Sequence, residues 1–130
     1  MSAQRRIRIA LGLLVLAVWL PVLLAGPKSL RSRNRFGRSD VLIVTGPYRY
    51  VRHPLYAGWS FTLIGLGLVL GTPTLVVAGL VWLLVTQVWS VHEERDLARR
   101  FGSEFAAYRQ RTPRLIPDVR RVLRDLRLSR

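Results

Sequence analysis

The stretch TGPYRYVRHPLYAG, residues 45–58, stands directly before a long apolar run and carries two prolines, three tyrosines, two arginines and one of the chain's two histidines. Gly46-Pro47 indicates a turn. Pro54 disfavours helical backbone angles at the preceding His53 and suits the first turn of a helix. The sequence therefore predicts a loop-to-helix junction at His53, with its ring facing a ligand. The alternative is a basic, aromatic segment that only anchors a helix at a membrane interface.

The composition is that of a small integral membrane protein. Half of the 130 residues are hydrophobic, yet the formal net charge is +14. The apolar residues fall in long blocks and the arginines fall between them, which is typical of membrane helices joined by basic loops. Such loops account for the charge, so we expect membrane lipids and no nucleic acid as partners. The chain has no cysteine, which excludes disulfides and thiolate chemistry.

Three apolar blocks, residues 9–26, 55–71 and 74–91, are each about one bilayer long. They predict one all-α domain, a membrane helical bundle of about three transmembrane helices. The turn Gly71-Thr72-Pro73 joins the last two blocks into a hairpin, and the glycines of the second block allow close helix packing. An alternative for the first block is a signal peptide, although its cleavage site would be poor.

Residues 92–130 are predicted to face water. Leu97, Phe101, Phe105 and Tyr108 recur at helical spacing, and the tail from Asp118 is typical of a basic amphipathic helix that lies on anionic lipid. Seven Lys/Arg lie in 27–54 and eleven beyond residue 92, against three at the N-terminus. The positive-inside rule therefore places the loop and the C-terminus in the cytoplasm, with the protein in the cytoplasmic membrane.

Two acids, Glu93 and Glu94, stand at the end of the third block. Acids near a bilayer are costly and often mark function; the alternative is a pair neutralised by Arg52, Arg95 or Arg99. The segment HEER is also the first half of a zinc-protease motif, but Asp96 replaces the required second histidine. We therefore expect no metal site.

The pieces RHPxY, EE, FGxxFxxY and PRxIP occur in this order between residues 40 and 117. The ordered set resembles the isoprenylcysteine carboxyl methyltransferase and phospholipid methyltransferase superfamily, integral membrane enzymes that use S-adenosylmethionine. The resemblance implies methyl transfer to a lipophilic or membrane-embedded carboxyl or amine acceptor. It also implies cofactor contacts at Asp40, Val41, Leu42, Ile43, Tyr48, His53, Pro54, Leu55, Tyr56, Glu93 and Glu94.

The cofactor's chemistry agrees with those residue types. A glutamate suits its ammonium group, a histidine or an arginine suits its carboxylate, and tyrosine faces suit the adenine and the sulfonium methyl. Prenylcysteine enzymes of the family have an arginine for the substrate carboxylate where this chain has Trp89, and a histidine where it has Asp40. Trp89 therefore favours an apolar or lipid-like substrate, or serves as an interfacial anchor.

Two other functions compete with this interpretation. One is a non-enzymatic basic membrane adaptor that binds anionic lipid or a partner helix. The other is a family member that binds the cofactor without turnover. The acids Glu93 and Glu94 discriminate against the adaptor, which needs basic charge but no carboxylates.

Overall fold

The computed structural model describes residues 1–30, 42 and 44–130, with the backbone alone for 26–30. Its helices are α1 (Ala3–Leu30), α2 (Pro54–Leu70), α3 (Pro73–Phe101), α4 (Ser103–Arg111) and α5 (Val119–Leu128), and a 3₁₀ turn spans Gly46–Arg49. The described part of the chain contains no strand, which confirms the predicted all-α class. Asp40, Val41 and Ile43 lie outside the described residues.

Two helices are long and apolar enough to cross a membrane: the segment Ala3–Ala25 of α1, and α3 (Pro73–Phe101). Helix α2 is apolar but has 17 residues, so it is roughly 26 Å long. That length is at the lower limit for crossing the hydrocarbon core of a bilayer. The three-span count therefore stays a prediction, while the helical membrane bundle itself is supported.

Glycines set the distances between the packed helices. A methyl group added at Gly12 of α1 would lie 2.7 Å from the carbonyl oxygen of Gly65 on α2. One added at Gly79 of α3 would lie 2.7 Å from the carbonyl oxygen of Ser60 on α2. Contacts this short exclude any side chain, so small residues allow the close packing that sequence analysis predicted.

The hairpin turn forms as predicted. Gly71 follows the last residue of α2 and stops the helix, since its φ of 69° lies in the left-handed region that glycine adopts without strain. Pro73 then begins α3. Gly12 of α1 lies against Gly65, and Leu23 lies against Gly58, so α1 runs antiparallel to α2. The start of α1 and the α2–α3 turn are therefore at one end of the bundle, and everything from residue 44 to His53 lies toward the other.

Helix α3 continues past the predicted span of 74–91 as far as Phe101. One helix was predicted to carry the apolar face of residues 97–108. The structure has two helices there, because Gly102 has a φ of 53° and separates α3 from α4. Phe105 and Tyr108 of α4 still pack with Leu97 and Phe101 of α3, around the buried Leu42. The predicted apolar face is thus confirmed as one cluster built from two helices.

The predicted C-terminal amphipathic helix is α5. Asp118 caps its N-terminus by accepting a hydrogen bond of 3.0 Å from the backbone N–H of Arg120. Asp125 ties it to the 3₁₀ turn region, through a 3.1 Å hydrogen bond from Tyr50 Oη and an ion pair of 3.3 Å with Arg49 Nε. None of its residues is buried.

Candidate functional site

His53 lies at the predicted junction, as the residue directly before α2, with Pro54 in the first helical position. Its backbone N–H donates to the carbonyl oxygen of Arg114 (3.2 Å), and that of Arg52 donates to the carbonyl oxygen of Pro113 (2.9 Å). These two bonds hold the segment before α2 against the segment after α4. The PRxIP piece of the sequence, which starts at Pro113, therefore supports the junction through its backbone.

Glu94 is buried and lies beside His53 and two arginines. Its Oε1 lies 2.9 Å from His53 Nε2 and 3.2 Å from Arg52 Nε, and its Oε2 accepts a 3.3 Å hydrogen bond from Arg114. Glu94 therefore matches the alternative interpretation from the sequence, an acid that is neutralised by neighbouring arginines. Arg52 was among the predicted partners, whereas Arg114 was not.

Glu93 has a different environment, although it is the next residue. Its side chain is 34% exposed, and its Oε2 accepts a 3.0 Å hydrogen bond from Tyr56 Oη. His53 Nδ1 lies 3.8 Å from the same oxygen. The rings of His53 and Tyr56 stack with centroids 5.5 Å apart. The two glutamates are thus divided between a buried charge cluster and a partly open wall.

A cleft opens at this wall. Six residues predicted to contact a cofactor line it, together with Arg52: Tyr48, His53, Pro54, Leu55, Tyr56 and Glu93. Its volume is about 50 Å³, below the roughly 300–1,000 Å³ of a complete small-molecule pocket. The cleft therefore has room for one end of a larger ligand.

The other predicted site residues lie elsewhere or outside the described residues. Leu42 is buried against Phe105 and Tyr108 in the apolar cluster. Trp89 is 51% exposed on α3 and lies edge-to-face with Trp82, at a centroid distance of 5.9 Å. Asp40, Val41 and Ile43 belong to the part of the chain that the structure does not describe. The roles of all these residues stay predictions.

Two positioning residues were missing from the predicted site. Tyr108 is buried, and its hydroxyl donates a 2.6 Å hydrogen bond to the carbonyl oxygen of Tyr48, which lines the cleft. Burial raises the pKa of the Tyr108 phenol, so it stays a donor. Arg114 neutralises Glu94. Both residues belong to the FGxxFxxY and PRxIP pieces, so the signal was present in motifs to which no role had been assigned.

Burial decides the protonation of His53. It lowers the pKa of the His53 imidazole below the ordinary 6.5, and the nearby Glu94 and Glu93 oppose that shift only in part. Arg52 and Arg114 already balance the Glu94 charge, so a proton on His53 gains less from that carboxylate. A neutral His53 ring that carries its proton on Nε2 would donate it to Glu94.

Comparison with known proteins identifies the family. A model of the phospholipid methyltransferase family matches residues 6–104. The chain belongs to this family. It is 40% identical over 76 residues to the methanethiol S-methyltransferase of Crocosphaera subtropica, covering 55% of this chain and 28% of that protein.

Two further curated proteins are similar to the chain. The chain is 31% identical over 100 residues to human protein-S-isoprenylcysteine O-methyltransferase, covering 72% of this chain and 34% of the human protein. It is 35% identical over 83 residues to the cobalt-zinc-cadmium resistance protein CzcN of Cupriavidus metallidurans, covering 62% and 37%. The chain thus spans about a third of the length of these curated relatives. No solved structure matches it.

Proposed function

We propose that this member of the phospholipid methyltransferase family binds S-adenosylmethionine in the cleft and transfers its methyl group to a lipophilic acceptor. The observation that carries the proposal is the division of the two glutamates. Arg52 and Arg114 contact the buried Glu94, and Glu93, whose side chain is 34% exposed, lines a cleft walled by tyrosines. A partly exposed carboxylate in an aromatic wall suits a cationic ligand group.

The cleft residues fit the amino-acid end of this cofactor. Glu93 would hold the ammonium group, and Arg52 would hold the carboxylate. Arg52 Nε is buried and, within the described part of the chain, donates no hydrogen bond, although it lies 3.2 Å from Glu94. An additional acceptor would satisfy that donor. His53 is less suited to the carboxylate, since its Nε2 is committed to Glu94 and its Nδ1 faces Glu93.

S-adenosylmethionine, when bound, supplies a methyl group on a positively charged sulfur that an acceptor displaces in line. The chain's own residues orient the cofactor and exclude water. Pro54 and Leu55 form an apolar part of the wall, and the Tyr48 and Tyr56 rings offer electron-rich faces to a sulfonium. Alignment in a water-poor cleft then supplies most of the rate.

The acceptor is proposed to be apolar or membrane-associated. By their names, the relatives act on the sulfur of methanethiol and on an oxygen of isoprenylcysteine. The cleft lies where α2 begins and where α3 carries Glu93, beyond the predicted span of 74–91. A lipophilic acceptor would therefore reach it from the bilayer, with Trp89 on its path. In this proposal the cleft and the C-terminus are cytoplasmic.

Calorimetry with S-adenosylhomocysteine on the detergent-solubilised full chain tests the proposal. We expect saturable binding that Glu93→Gln weakens and that Glu104→Gln leaves unchanged, since Glu104 is exposed on α4 away from the cleft. A non-enzymatic membrane adaptor would give no binding heat in any of these proteins. Binding without methyl transfer to any acceptor would instead identify a family member without turnover.

A further inference from the structure

A second cavity lies against the 3₁₀ turn Gly46–Arg49. It has a volume of about 470 Å³ and is lined by Gly46, Arg49, Tyr108, Arg111, Thr112 and Arg121, among others. This volume is within the roughly 300–1,000 Å³ of small-molecule sites. It shares no lining residue with the cleft. The 3₁₀ turn, α4 and α5 each contribute one arginine.

The three arginines leave the cavity with excess positive charge. Asp125 forms an ion pair with Arg49 Nε at 3.3 Å. Within the described residues, Arg111 and Arg121 form no ion pair with any carboxylate. Like charges that converge on one cavity repel each other, and a bound anion removes that repulsion.

Both unpaired arginines are held in place. The Arg111 guanidinium lies over the Tyr108 ring, 5.9 Å from its centroid. Arg121 Nη1 donates a 3.1 Å hydrogen bond to the carbonyl oxygen of Arg111. Positioning of this kind lowers the entropy lost when a guanidinium binds an anion.

A neutral donor lines the same cavity. Thr112 is 2% exposed, and its hydroxyl has no hydrogen-bond partner among the described residues. A buried hydroxyl without a hydrogen bond destabilises the fold, and native proteins contain few such groups. Two guanidinium groups and a hydroxyl are the donors that phosphate oxygens accept from, and arginine binds phosphate in a bidentate manner.

We infer that this cavity binds a phosphate group through Arg111, Arg121 and Thr112. The phosphate has two possible sources, a free phosphate and the headgroup of an anionic lipid. The outer face of α5 favours the lipid: Val119, Leu123 and Leu126 are 63%, 51% and 58% exposed and lie within one helical stripe beside Arg120 and Arg127. Such a face suits the surface of a bilayer that contains anionic lipid.

The test uses the full chain, first in a non-ionic detergent and then in phosphatidylcholine nanodiscs with or without phosphatidic acid. Inorganic phosphate is titrated by calorimetry in detergent, and lipid retained by the protein is measured by native mass spectrometry. The variant Arg111→Gln/Arg121→Gln should weaken binding of the phosphate-bearing probe by at least about tenfold. The matched control Arg95→Gln/Arg99→Gln removes the same charge from exposed positions of α3. It should change the affinity for the phosphate-bearing probe by less than about twofold.

Thr112→Val provides a variant that keeps the shape and the charge. It should weaken phosphate binding by about threefold or more, and it should leave the unliganded unfolding temperature unchanged or higher, since it removes an unpaired buried hydroxyl. Binding of inorganic phosphate with these variant effects identifies a free-phosphate site. Retention of phosphatidic acid alone, with the same effects, identifies a lipid-headgroup site.

Three outcomes would overturn the inference. Equal losses in the two double-arginine variants would show non-specific attraction to a basic surface. Displacement of the phosphate probe by S-adenosylhomocysteine would assign the cavity to the cofactor. Absence of binding by both probes would show that no phosphate site exists.

Discussion

His53 Nε2 and Glu94 Oε1 lie 2.9 Å apart, although 41 positions separate the two residues in the chain. The bond connects the residue before α2 to the distal part of α3. Successive residues on a helix are rotated by about 100°. Because Glu94 is turned into the charge cluster, the adjacent Glu93 is turned toward the cleft. The buried acid thus positions the acid that we assign to the cofactor.

Replacement of Glu94 should destabilise the protein. Glu94→Gln leaves the largely buried Arg52 and the partly exposed Arg114 without their carboxylate, and loss of one partner of a buried ion pair costs about 3–5 kcal/mol. We expect a lower unfolding temperature in detergent. Glu104→Gln, at an exposed position, should stay within about 0.5 kcal/mol of the parent. An unchanged unfolding temperature for Glu94→Gln would contradict the central role of this cluster.

Replacement of Glu93 should affect the ligand more than the fold. Glu93→Gln keeps the shape and removes the charge, so S-adenosylhomocysteine affinity should fall by about 1.5–3 kcal/mol, as for a charge-assisted hydrogen bond. Its unfolding temperature should stay near that of the parent, since the side chain is partly exposed.

The affinity for S-adenosylhomocysteine should also fall in Tyr56→Ala and in His53→Ala. Both variants should still insert into the membrane. His53→Ala should also lower the unfolding temperature, because it removes the bond to Glu94. Unchanged cofactor affinity in all three variants would refute the assignment of the site.

Stability should depend on pH through His53. Burial lowers the pKa of the folded imidazole below 6.5, so in mild acid the unfolded chain binds a proton that the folded chain does not. The free energy of unfolding should therefore fall as the pH drops through about 6.5, the pKa of an ordinary histidine side chain. Unfolding curves on either side of this pH measure the slope.

The two histidines of the chain give a matched comparison. His53→Gln should flatten the pH dependence of stability, whereas His92→Gln should retain it, since His92 is exposed on α3. If the free energy of unfolding of His53→Gln still depends steeply on pH, another group binds the proton.

Single cysteines can establish the topology, because the native chain has none. Thr72→Cys lies in the α2–α3 turn and Ser129→Cys follows α5. If α3 spans the bilayer, a membrane-impermeant maleimide applied outside the cell should label only position 72, with position 129 in the cytoplasm. Labelling of both positions from one side would refute the membrane hairpin.

The acceptor should lack a carboxylate that needs an arginine partner. Trp89 stands where prenylcysteine enzymes of the family have that arginine. Arg114 contacts Glu94, and Arg52, which also contacts Glu94, is the residue that we assign to the cofactor carboxylate. An unpaired charge near lipid is costly, so we expect little methylation of a farnesylcysteine analogue and more of an amine-bearing phospholipid. Transfer of a tritiated methyl group by purified protein in lipid compares the two. Strong transfer to the farnesylcysteine analogue would show that another arginine binds its carboxylate.

Much of the fold could be predicted because local chemistry determines it. The apolar blocks predicted α1, α2 and α3, and Gly71 and Pro73 predicted the turn between the last two. Pro54 predicted the start of α2. Each of these features acts within a few residues through hydrophobic burial or backbone angles, so it can be predicted without the tertiary structure.

The ordered family motifs predicted six of the seven residues that line the cleft. Arg52, the seventh, was not among the residues predicted to contact the cofactor. The break at Gly102 was missed, because the apolar spacing of Leu97, Phe101, Phe105 and Tyr108 continues through it. Periodicity reports which face is apolar and does not report whether the helix is continuous.

The electrostatic organisation was decided by the tertiary structure alone. The sequence contains 21 Lys and Arg against 7 acids, so almost any arginine could have been the partner of either glutamate. Packing of the segment after α4 against the residues before α2 selected Arg114 and Arg52 for Glu94. The sequence determined that acids would stand at the end of a membrane helix. Which acid is buried and which lines the cleft depends on the rotation of α3 against α2, and only the packed helices determine that rotation.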